Sequence, residues 1–341
     1  MLKLNIVNRP SWKKNQTRDY KKLWLDKNEN PDIYLSNKIK STIQKIPSYS
    51  IFGYPDLNFV YEKLSSIFKI QKKNLLICNG SDGGIRATFD CFVKQSDKVL
   101  IPSPTFAMYD VYAKLFKTRL INFKYILKND KFIFDINNFI QIIKKKRPKL
   151  ICLANPDSPS GTVLKKNEVL QIIKTAKKIK CIVLIDEAYY PFCNITLKDE
   201  VNKYTNLIVV RSLSKSWALA GLRIGFILSN KKIIKYMTSS KPMYEIGGLQ
   251  TYILANLISK KYYLDVKKSV KDLNESKKKF VSLLNKLNKV KYIDTQSNFI
   301  HVQLGKNRKK IIKEIKKFAY IRDSQSKILK KYSRITITRY K

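Results

Sequence analysis

Short, uninterrupted apolar runs are the feature of this chain that most constrains its fold. Most of the runs are followed by a longer segment in which apolar residues recur at helical spacing. Within a run, polar and apolar residues do not alternate, which indicates strands that are buried on both faces of a sheet. Strands separated by helices predict an α/β fold with a mainly parallel sheet flanked by helices. The runs are LLIC (75–78), KVLIP (98–102), KLICLA (149–154), CIVLID (181–186), LIVVRS (207–212) and RIGFILS (223–229).

After about residue 240 the pattern changes. Residues 262–290 predict a long amphipathic helix. Its apolar residues near helical spacing are Val266, Val270, Leu273, Phe280, Leu284 and Leu287. A strand (297–304), a helix (308–318) and a last strand (334–338) follow, which predicts a smaller α+β domain.

A chain of 341 residues is long enough for one large domain and a smaller one. We predict an N-terminal arm (1–35) that packs on the small domain. The large domain is predicted at 36–245, and the small C-terminal domain at 246–341.

The chain is strongly basic, with 69 Lys and Arg against 25 Asp and Glu and a net charge of +44. Such a charge would suit a nucleic-acid-binding protein, and one alternative is a basic binding protein built on a decayed enzyme scaffold. However, the lysines are spread along the whole chain, and no nucleic-acid-binding motif accompanies them. We therefore expect no nucleic-acid partner.

Neither a signal peptide nor an apolar stretch of membrane-spanning length is present, so we expect a cytoplasmic protein with no membrane association. The five cysteines are odd in number and include no C-x-x-C pair. We expect neither a disulfide framework nor a metal site from them.

Polar residues follow two of the buried strands. Asp186 ends CIVLID, whereas Lys215 follows LIVVRS between the hydroxyls of Ser212 and Ser214, with Arg223 eight residues later. In open α/β sheets, ligands bind beyond the carboxyl ends of the strands, so these residues form a candidate site. Taken singly, such a lysine is usually a surface residue and such an aspartate can cap a turn. The 29 residues from Asp186 to Lys215 suggest one strand–helix–strand unit.

The segment NGSDGG (79–84) is predicted to lie between a strand and a helix. Backbone N–H groups at a helix N-terminus bind phosphate, although a Gly-rich segment alone can be only a flexible turn. Together with an amine and a buried carboxylate, it predicts a ligand with a phosphate, a group that bonds covalently to an amine, and a cationic nitrogen. Pyridoxal 5′-phosphate has all three groups.

The motifs resemble those of the fold-type-I, class I/II aminotransferases, most of all the histidinol-phosphate aminotransferase branch. This resemblance covers nearly the whole chain and implies a pyridoxal-phosphate-dependent transaminase that forms a homodimer. The motifs are NENP (28–31), YPD (54–56), NGSDGG (79–84), PTFAMY (104–109), NPDSPSG (155–161), DEAYYPF (186–192), SLSKSWALAGLRIGF (212–226), SNFIHV (297–302) and RITI (334–337).

The resemblance also implies roles for individual residues. Lys215 would bind the cofactor covalently and move the proton, Asp186 would pair with the ring nitrogen, and Tyr189 would contact the ring hydroxyl. The other residues expected at the cofactor are Ser81, Asp82, Gly83, Tyr109 (as the ring-stacking side chain), Asn155, Ser158, Ser212, Ser214, Arg223 and, from the neighbouring subunit, Tyr54. Those expected at the substrate are Asn30, Arg322 and Arg334.

Two positions depart from the family pattern. Ser158 stands where the family usually has an asparagine that touches the cofactor, so Asn155 or Asp157 would have to compensate. Thr338 follows RITI where the family has glycine. For the reaction we expect amino transfer from a donor such as glutamate to a phosphorylated oxo substrate. The alternative is decarboxylation of a phosphorylated amino acid on the same cofactor.

Overall fold

The computed structural model describes residue 7 and residues 18–287, 290–324 and 326–339, which contain fifteen strands and eleven α-helices. The strands are β1 (Leu23–Trp24), β2 (Leu75–Cys78), β3 (Lys98–Ser103), β4 (Arg119–Lys124), β5 (Ile126–Lys128), β6 (Lys131–Ile133), β7 (Leu150–Ala154), β8 (Ile182–Asp186), β9 (Leu207–Ser212), β10 (Gly225–Ser229), β11 (Lys291–Ile293), β12 (Phe299–Gln303), β13 (Ala319–Tyr320), β14 (Arg322–Asp323) and β15 (Tyr332–Thr336). The helices are α1 (Ile33–Ile43), α2 (Tyr49–Phe52), α3 (Asn58–Phe68), α4 (Gly80–Phe92), α5 (Ala107–Leu115), α6 (Ile136–Lys146), α7 (Lys166–Lys178), α8 (Lys231–Ser239), α9 (Gly248–Leu257), α10 (Lys260–Lys286) and α11 (Arg308–Phe318).

A seven-stranded sheet forms the centre of the molecule, in the order β2-β10-β9-β8-β7-β3-β4. Strands β4, β3, β7, β8 and β9 are parallel, whereas β10 runs antiparallel to both of its neighbours. The α/β class and the mainly parallel sheet predicted from the apolar runs are therefore confirmed. Each predicted run contains one of these strands.

Both faces of this sheet are buried, as the uninterrupted runs indicated. Strand β2 shows how: Leu75 and Ile77 belong to one hydrophobic cluster, whereas Leu76 and Cys78 belong to another on the opposite face. The first cluster includes residues of α3, α6, α7, α9 and α10, and the second includes residues of α4, α5 and α8. Because no face of the sheet is open, a ligand can reach it only at the strand ends.

Two local predictions in this region were wrong. The segment NGSDGG is not a loop before a helix, because α4 already begins at Gly80. The connection between β8 and β9 contains no α-helix, only a short 3-10 turn at Lys198–Glu200. The spacing between Asp186 and Lys215 therefore reflects a long connection rather than a strand–helix–strand unit.

A four-stranded sheet, in the order β11-β12-β15-β14, follows the long helix α10. Of the apolar residues predicted along that helix, Leu287 is exposed, because α10 ends at Lys286. Buried are Val266, Val270, Leu273 and Leu284, and Phe280 packs at the edge of the core. In the described part of the arm, β1 pairs with β13; residues 1–6 and 8–17 of the predicted arm lie outside the described residues. None of the helices described is both long and apolar enough to cross a membrane.

The N-terminus of α4 lies directly against β10. A Cβ at Gly225 would be 2.4 Å from the backbone carbon of Gly80 and 2.6 Å from the backbone nitrogen of Ser81. Gly80 itself has φ of +70°, and the Arg223 guanidinium passes 2.9 Å from where its Cβ would be. These two glycines allow the first turn of α4, the end of β9 and Arg223 to meet at one point.

Replacing Gly225 with alanine should therefore displace the first turn of α4. Because the new Cβ meets backbone atoms, we expect a loss of about 1–3 kcal/mol in the free energy of unfolding. The control is Gly221→Ala, where a Cβ would meet nothing within 4 Å and the change should be within about 0.5 kcal/mol. Urea unfolding of the two variants measures both values, and equal losses would contradict the close approach.

Candidate active site

A cavity of about 470 Å³ opens at the carboxyl ends of the central strands. Its volume is within the range of sites for small molecules and cofactors. Of the predicted site residues, the structure brings together Ser81, Asp82, Ser158, Asp186, Tyr189, Ser212, Ser214, Lys215, Arg223, Arg322 and Arg334 along its wall. These residues come from the ends of β8 and β9, the connections beside the central strands, the first turn of α4 and the four-stranded sheet.

Asp186 lies at the end of β8 with only 4% of its surface exposed. Its Oδ1 accepts from the Ala188 N–H at 2.9 Å, and its Oδ2 accepts from the Tyr109 hydroxyl at 3.2 Å. Burial raises the pKa of Asp186 to about 7, and the nearby carboxylates of Asp82 and Asp157 act in the same direction. The two hydrogen bonds lower the pKa but only partly offset the effect of burial. A buried carboxyl group of this kind is ready to pair with a cation.

Lys215 follows β9 and reaches into the same cavity, where its Nζ donates to the backbone oxygen of Lys27 at 2.7 Å. Burial lowers the pKa of its ammonium group. The Tyr189 side chain opposes this effect, and the positive charges of Arg334 and Arg223 add to it. The environment therefore makes this amine easier to deprotonate than an exposed lysine, and the neutral amine is the form that acts as a nucleophile or base.

At one end of the cavity, hydrogen-bond donors surround the N-terminus of α4. Ser81 and Asp82 are in its first turn, where the backbone N–H groups of a helix point out of its end and the helix dipole is positive. Ser214 Oγ accepts from Arg223 Nη1 at 3.3 Å, and the Ser214 N–H donates to Ser212 Oγ at 3.0 Å. The arrangement suits a phosphate group.

At the other end, two arginines of the four-stranded sheet face the cavity. Arg334, on β15, donates to the Asp26 backbone oxygen at 2.7 Å and lies 3.4 Å from Ser158 Oγ. Its Nε is buried without a partner among the described residues. Arg322 lies beside it on β14, paired in register with Arg334. Two guanidinium groups so close together favour an anionic ligand at this end.

Tyr109 does not have the position predicted for it. Its ring is completely buried and its hydroxyl is bound to Asp186, so it lies behind the cavity wall. Phe106, at the N-cap of α5, lines the cavity instead and meets the Tyr109 ring edge-on at 5.8 Å. Phe106 is therefore the aromatic ring of this segment that a ligand in the cavity can contact.

Three other predicted contacts are also absent from the cavity wall. The Gly83 N–H donates to the backbone oxygen of Asn79 at 3.2 Å and is already used. Asn155 is bound at both ends of its amide to the backbone of Leu164. Asn30 donates to the backbone oxygen of Ser216 and to Ser269 Oγ.

Compensation for Ser158 by its neighbours was likewise wrong. The Asn155 amide is occupied, and Asp157 is buried while it accepts from Thr105 and from Ser160. Burial raises the pKa of Asp157 to about 6. Tyr54 is 83% exposed and stacks on Tyr244 with ring centroids 4.4 Å apart, outside the cavity of its own chain. Its contact with a neighbouring subunit stays a prediction.

Sequence reasoning missed several residues of the wall. Asn28 lines the cavity, whereas the predicted Asn30, two positions later in NENP, does not. Because this segment is irregular, no helix or strand periodicity indicates which of its side chains faces the cavity. His301 was expected to be a packed residue of the small domain, and it is fully buried. It also lines the cavity, with its Nε2 2.6 Å from the Pro159 backbone oxygen. Burial lowers its pKa to about 4, so the ring is neutral.

The comparisons with known proteins agree with this geometry. The class I and II aminotransferase profile matches residues 20–339. This chain belongs to that family. A histidinol-phosphate aminotransferase of Thermoanaerobacter sp. (strain X514) is 34% identical over 282 residues, which are 82% of this chain and 78% of that protein.

Solved structures share the fold. The histidinol-phosphate aminotransferase of Sinorhizobium meliloti, in complex with pyridoxal-5′-phosphate, has a TM-score of 0.78 at 19% identity and covers 93% of this chain and 86% of its own. The L-threonine-O-3-phosphate decarboxylase of Porphyromonas gingivalis has a TM-score of 0.71 at 19% identity, covering 93% and 94%. At these identities the likeness establishes the fold of the family, and the choice of reaction must come from the site.

The raised pKa of Asp186 predicts a pH-dependent cost in the cofactor-free protein. An unfolded aspartate has a pKa near 3.9, so the unfolded state loses its proton first, and stability falls as the pH rises from about 4 to about 7. Asp186→Asn removes this cost and should stabilise the cofactor-free protein at pH 8 by up to about 4 kcal/mol. Denaturant unfolding from pH 4 to 8 measures the difference, which should disappear at the acid end. A pH-independent difference would contradict the raised pKa.

Proposed function

We propose that this protein is a pyridoxal-phosphate-dependent aminotransferase of the histidinol-phosphate type. The observation that carries the proposal is one cavity with an amine of lowered pKa (Lys215) and a buried carboxyl group (Asp186). A phosphate-binding helix terminus stands at one end of the cavity and two arginines stand at the other. Membership of the class I and II aminotransferases supports it. The cytoplasmic location expected from the sequence is part of the same proposal.

The donor set fits the cofactor group by group. The buried Asp186 carboxyl group has no cation partner among the described residues, and the protonated ring nitrogen would supply one. Ser81, Ser212, Ser214 and Arg223 would hold the phosphate. Phe106 would provide an apolar wall for the ring.

When bound, pyridoxal phosphate supplies an aldehyde that joins amines covalently and a ring that withdraws electrons from the bond being broken. Lys215 Nζ provides the amine. Burial and the cations Arg334 and Arg223 lower the pKa of Nζ, which suits it to take a proton from the Cα of the substrate and to return that proton to the other side of the new C=N bond. Asp186, deprotonated once it faces a cation, maintains the positive charge of the ring nitrogen.

The arginine end of the cavity is where the proposal places the anionic group of the substrate. Arg334 and Arg322 would bind a carboxylate or phosphate through their planar forks. Glutamate is the proposed amino donor and leaves as its oxo acid, 2-oxoglutarate. The proposed acceptor is the phosphorylated ketone that becomes histidinol phosphate when it receives the amino group. Two half-reactions in one site predict ping-pong kinetics.

The same scaffold serves decarboxylases of phosphorylated amino acids, as the Porphyromonas gingivalis protein illustrates for the fold. This alternative shares Lys215, Asp186 and the phosphate end. It differs in which bond at the substrate Cα breaks. Release of CO₂ from a phosphorylated amino acid, without an amino acceptor, would favour it over transamination.

Lys215→Ala tests the proposal directly. With L-histidinol phosphate and 2-oxoglutarate as substrates, we expect kcat to fall by about 10³-fold or more, because proton transfer and covalent attachment are both lost. The control is Lys174→Ala, an exposed lysine of α7, which should keep wild-type rates. Multiple turnovers near the wild-type rate in the Lys215 variant would rule out this mechanism.

We also propose that the protein is a homodimer formed through an apolar surface on α2 and α9. Residues 46–62 and 242–259 contain no Lys or Arg, although the chain has 69 of them in 341 residues. The two segments pack together: a Cβ at Gly248 would lie 2.2 Å from the backbone oxygen of Ser50. Their exposed apolar side chains are Tyr49, Ile51, Phe52, Tyr54, Phe59, Met243, Tyr244 and Leu249.

The charge pattern supports a second copy as the proposed occupant of this surface. Two molecules of net charge +44 repel each other, so a self-contact needs a surface free of lysine and arginine. An exposed apolar patch on a highly charged protein is typical of an interaction site. Tyr54, within the patch, is then placed to reach the partner's cavity, as the family resemblance implies.

Phe52→Lys places a charge at the centre of this surface and should convert the dimer to a monomer. The control, Leu264→Lys, changes an equally apolar exposed residue on α10 (63% exposed, against 80% for Phe52) and should leave the dimer intact. Light scattering after size-exclusion chromatography gives both masses. A monomeric wild-type protein, or dissociation by both substitutions, would remove the basis for this interface.

A further inference from the structure

Asn28 brings a carboxamide to the cavity from the segment between β1 and α1. It is the only asparagine or glutamine among the cavity-lining residues of the described chain. Only 1% of its surface is exposed, and its Nδ2 donates to the Tyr189 hydroxyl oxygen at 2.7 Å. A buried amide with so short a contact holds its partner in one orientation.

The direction of this amide is set by Thr336 on β15. The Asn28 backbone N–H donates to Thr336 Oγ1 at 3.0 Å, so the hydroxyl proton of Thr336 is available to Asn28 Oδ1, 3.1 Å away. The oxygen end of the amide therefore faces Thr336, and its nitrogen end faces Tyr189. The backbone oxygen of Asn28 also accepts from Asn298 Nδ2 at 3.2 Å, which fixes the residue further.

This arrangement has a consequence for the proton of Tyr189. A phenol has one proton to donate, and a donor on the Asn28 side prevents that proton from pointing there. We infer that Asn28 is a positioning residue that turns the Tyr189 O–H toward the cavity, where it can donate to the bound cofactor. The inference rests on the proposed function, since it concerns the same site.

No neighbouring side chain offers a replacement. The Asn155 amide is bound to the Leu164 backbone, and Ser158 has a hydroxyl that receives a hydrogen bond from Arg334. The hydrogen bonds from Thr336 to Asn28 and from Asn28 to Tyr189 thus give Tyr189 an amide donor that the loop containing Ser158 does not provide.

The experiment is a pH titration of the visible absorption band that the protein develops with pyridoxal phosphate. Asn28→Ala removes the donor, and the isosteric Asn28→Asp replaces it with an acceptor that draws the Tyr189 proton away from the cavity. We expect both to raise the midpoint pH of the band by about 0.5–1 unit, with the larger shift for Asp, and to weaken cofactor affinity roughly fivefold. Asn28→Ala is also made in a Tyr189→Phe background, where its effect should disappear.

Two further variants keep the test decisive. Asn206→Ala removes a buried amide outside the cavity and should leave the midpoint unchanged. Thr336→Val removes the hydroxyl that orients the Asn28 amide and should raise the midpoint pH by a smaller amount. If the Asn28 variants do not fold, this variant tests the inference in their place.

An unchanged midpoint in the Asn28 variants that fold, or in Thr336→Val where they do not, would overturn the inference. Equal shifts in the presence and absence of the Tyr189 hydroxyl would also overturn it, because they would indicate a merely structural role. A wild-type protein that forms no visible band with the cofactor would instead contradict the proposed function, and the inference with it.

Discussion

Burial of both faces of the central sheet is the constraint on which the rest of this molecule depends. Helices cover each face, so polar groups can meet a ligand only where strands end. Asp186 closes β8, and Lys215 follows the adjacent β9. Parallel neighbours bring both residues to the same edge of the sheet. The antiparallel strand β10 then adds Arg223 and, through Gly225, allows the N-terminus of α4 to approach the same edge.

The charges at that edge are arranged for an occupant. A carboxyl group with a raised pKa and an ammonium group with a lowered pKa share one cavity, and each is disfavoured in its charged form chiefly by burial. Two arginines stand close together at one end. A ligand with a cationic ring nitrogen would pair with the carboxyl group, its electrophilic carbon would react with the amine, and its anionic groups would neutralise the arginines. Such a site lowers the stability of the empty protein and is retained because it binds the ligand.

The sequence predicted most of what depends on strand periodicity and little of what depends on irregular segments. The central strands were predictable because uninterrupted Val, Ile and Leu runs have few other uses. Asp186, Lys215 and Arg223 were predictable because they flank such runs or resemble a family motif.

In contrast, Tyr109 and Phe106 lie three residues apart at the start of α5, and only packing decides which faces the cavity. The sequence also could not show that Asn28 lines the cavity and Asn30 does not, because NENP is irregular and has no periodicity. The missing helix between β8 and β9 had been inferred from spacing alone, which does not distinguish a helix from an extended connection.

The contact between Asn28 and Thr336 joins residues separated by 308 positions. Asp26 and Lys27, beside Asn28, provide the backbone oxygens that hold Arg334 and Lys215. The cavity wall therefore combines one segment with a strand that is synthesised about 300 residues later. During translation, the central sheet can form with Lys215 in place well before β15 leaves the ribosome. Because contacts of long sequence separation form late, we expect the nascent chain to pass through a stage in which the central sheet is folded while the cavity lacks the arginines of the four-stranded sheet.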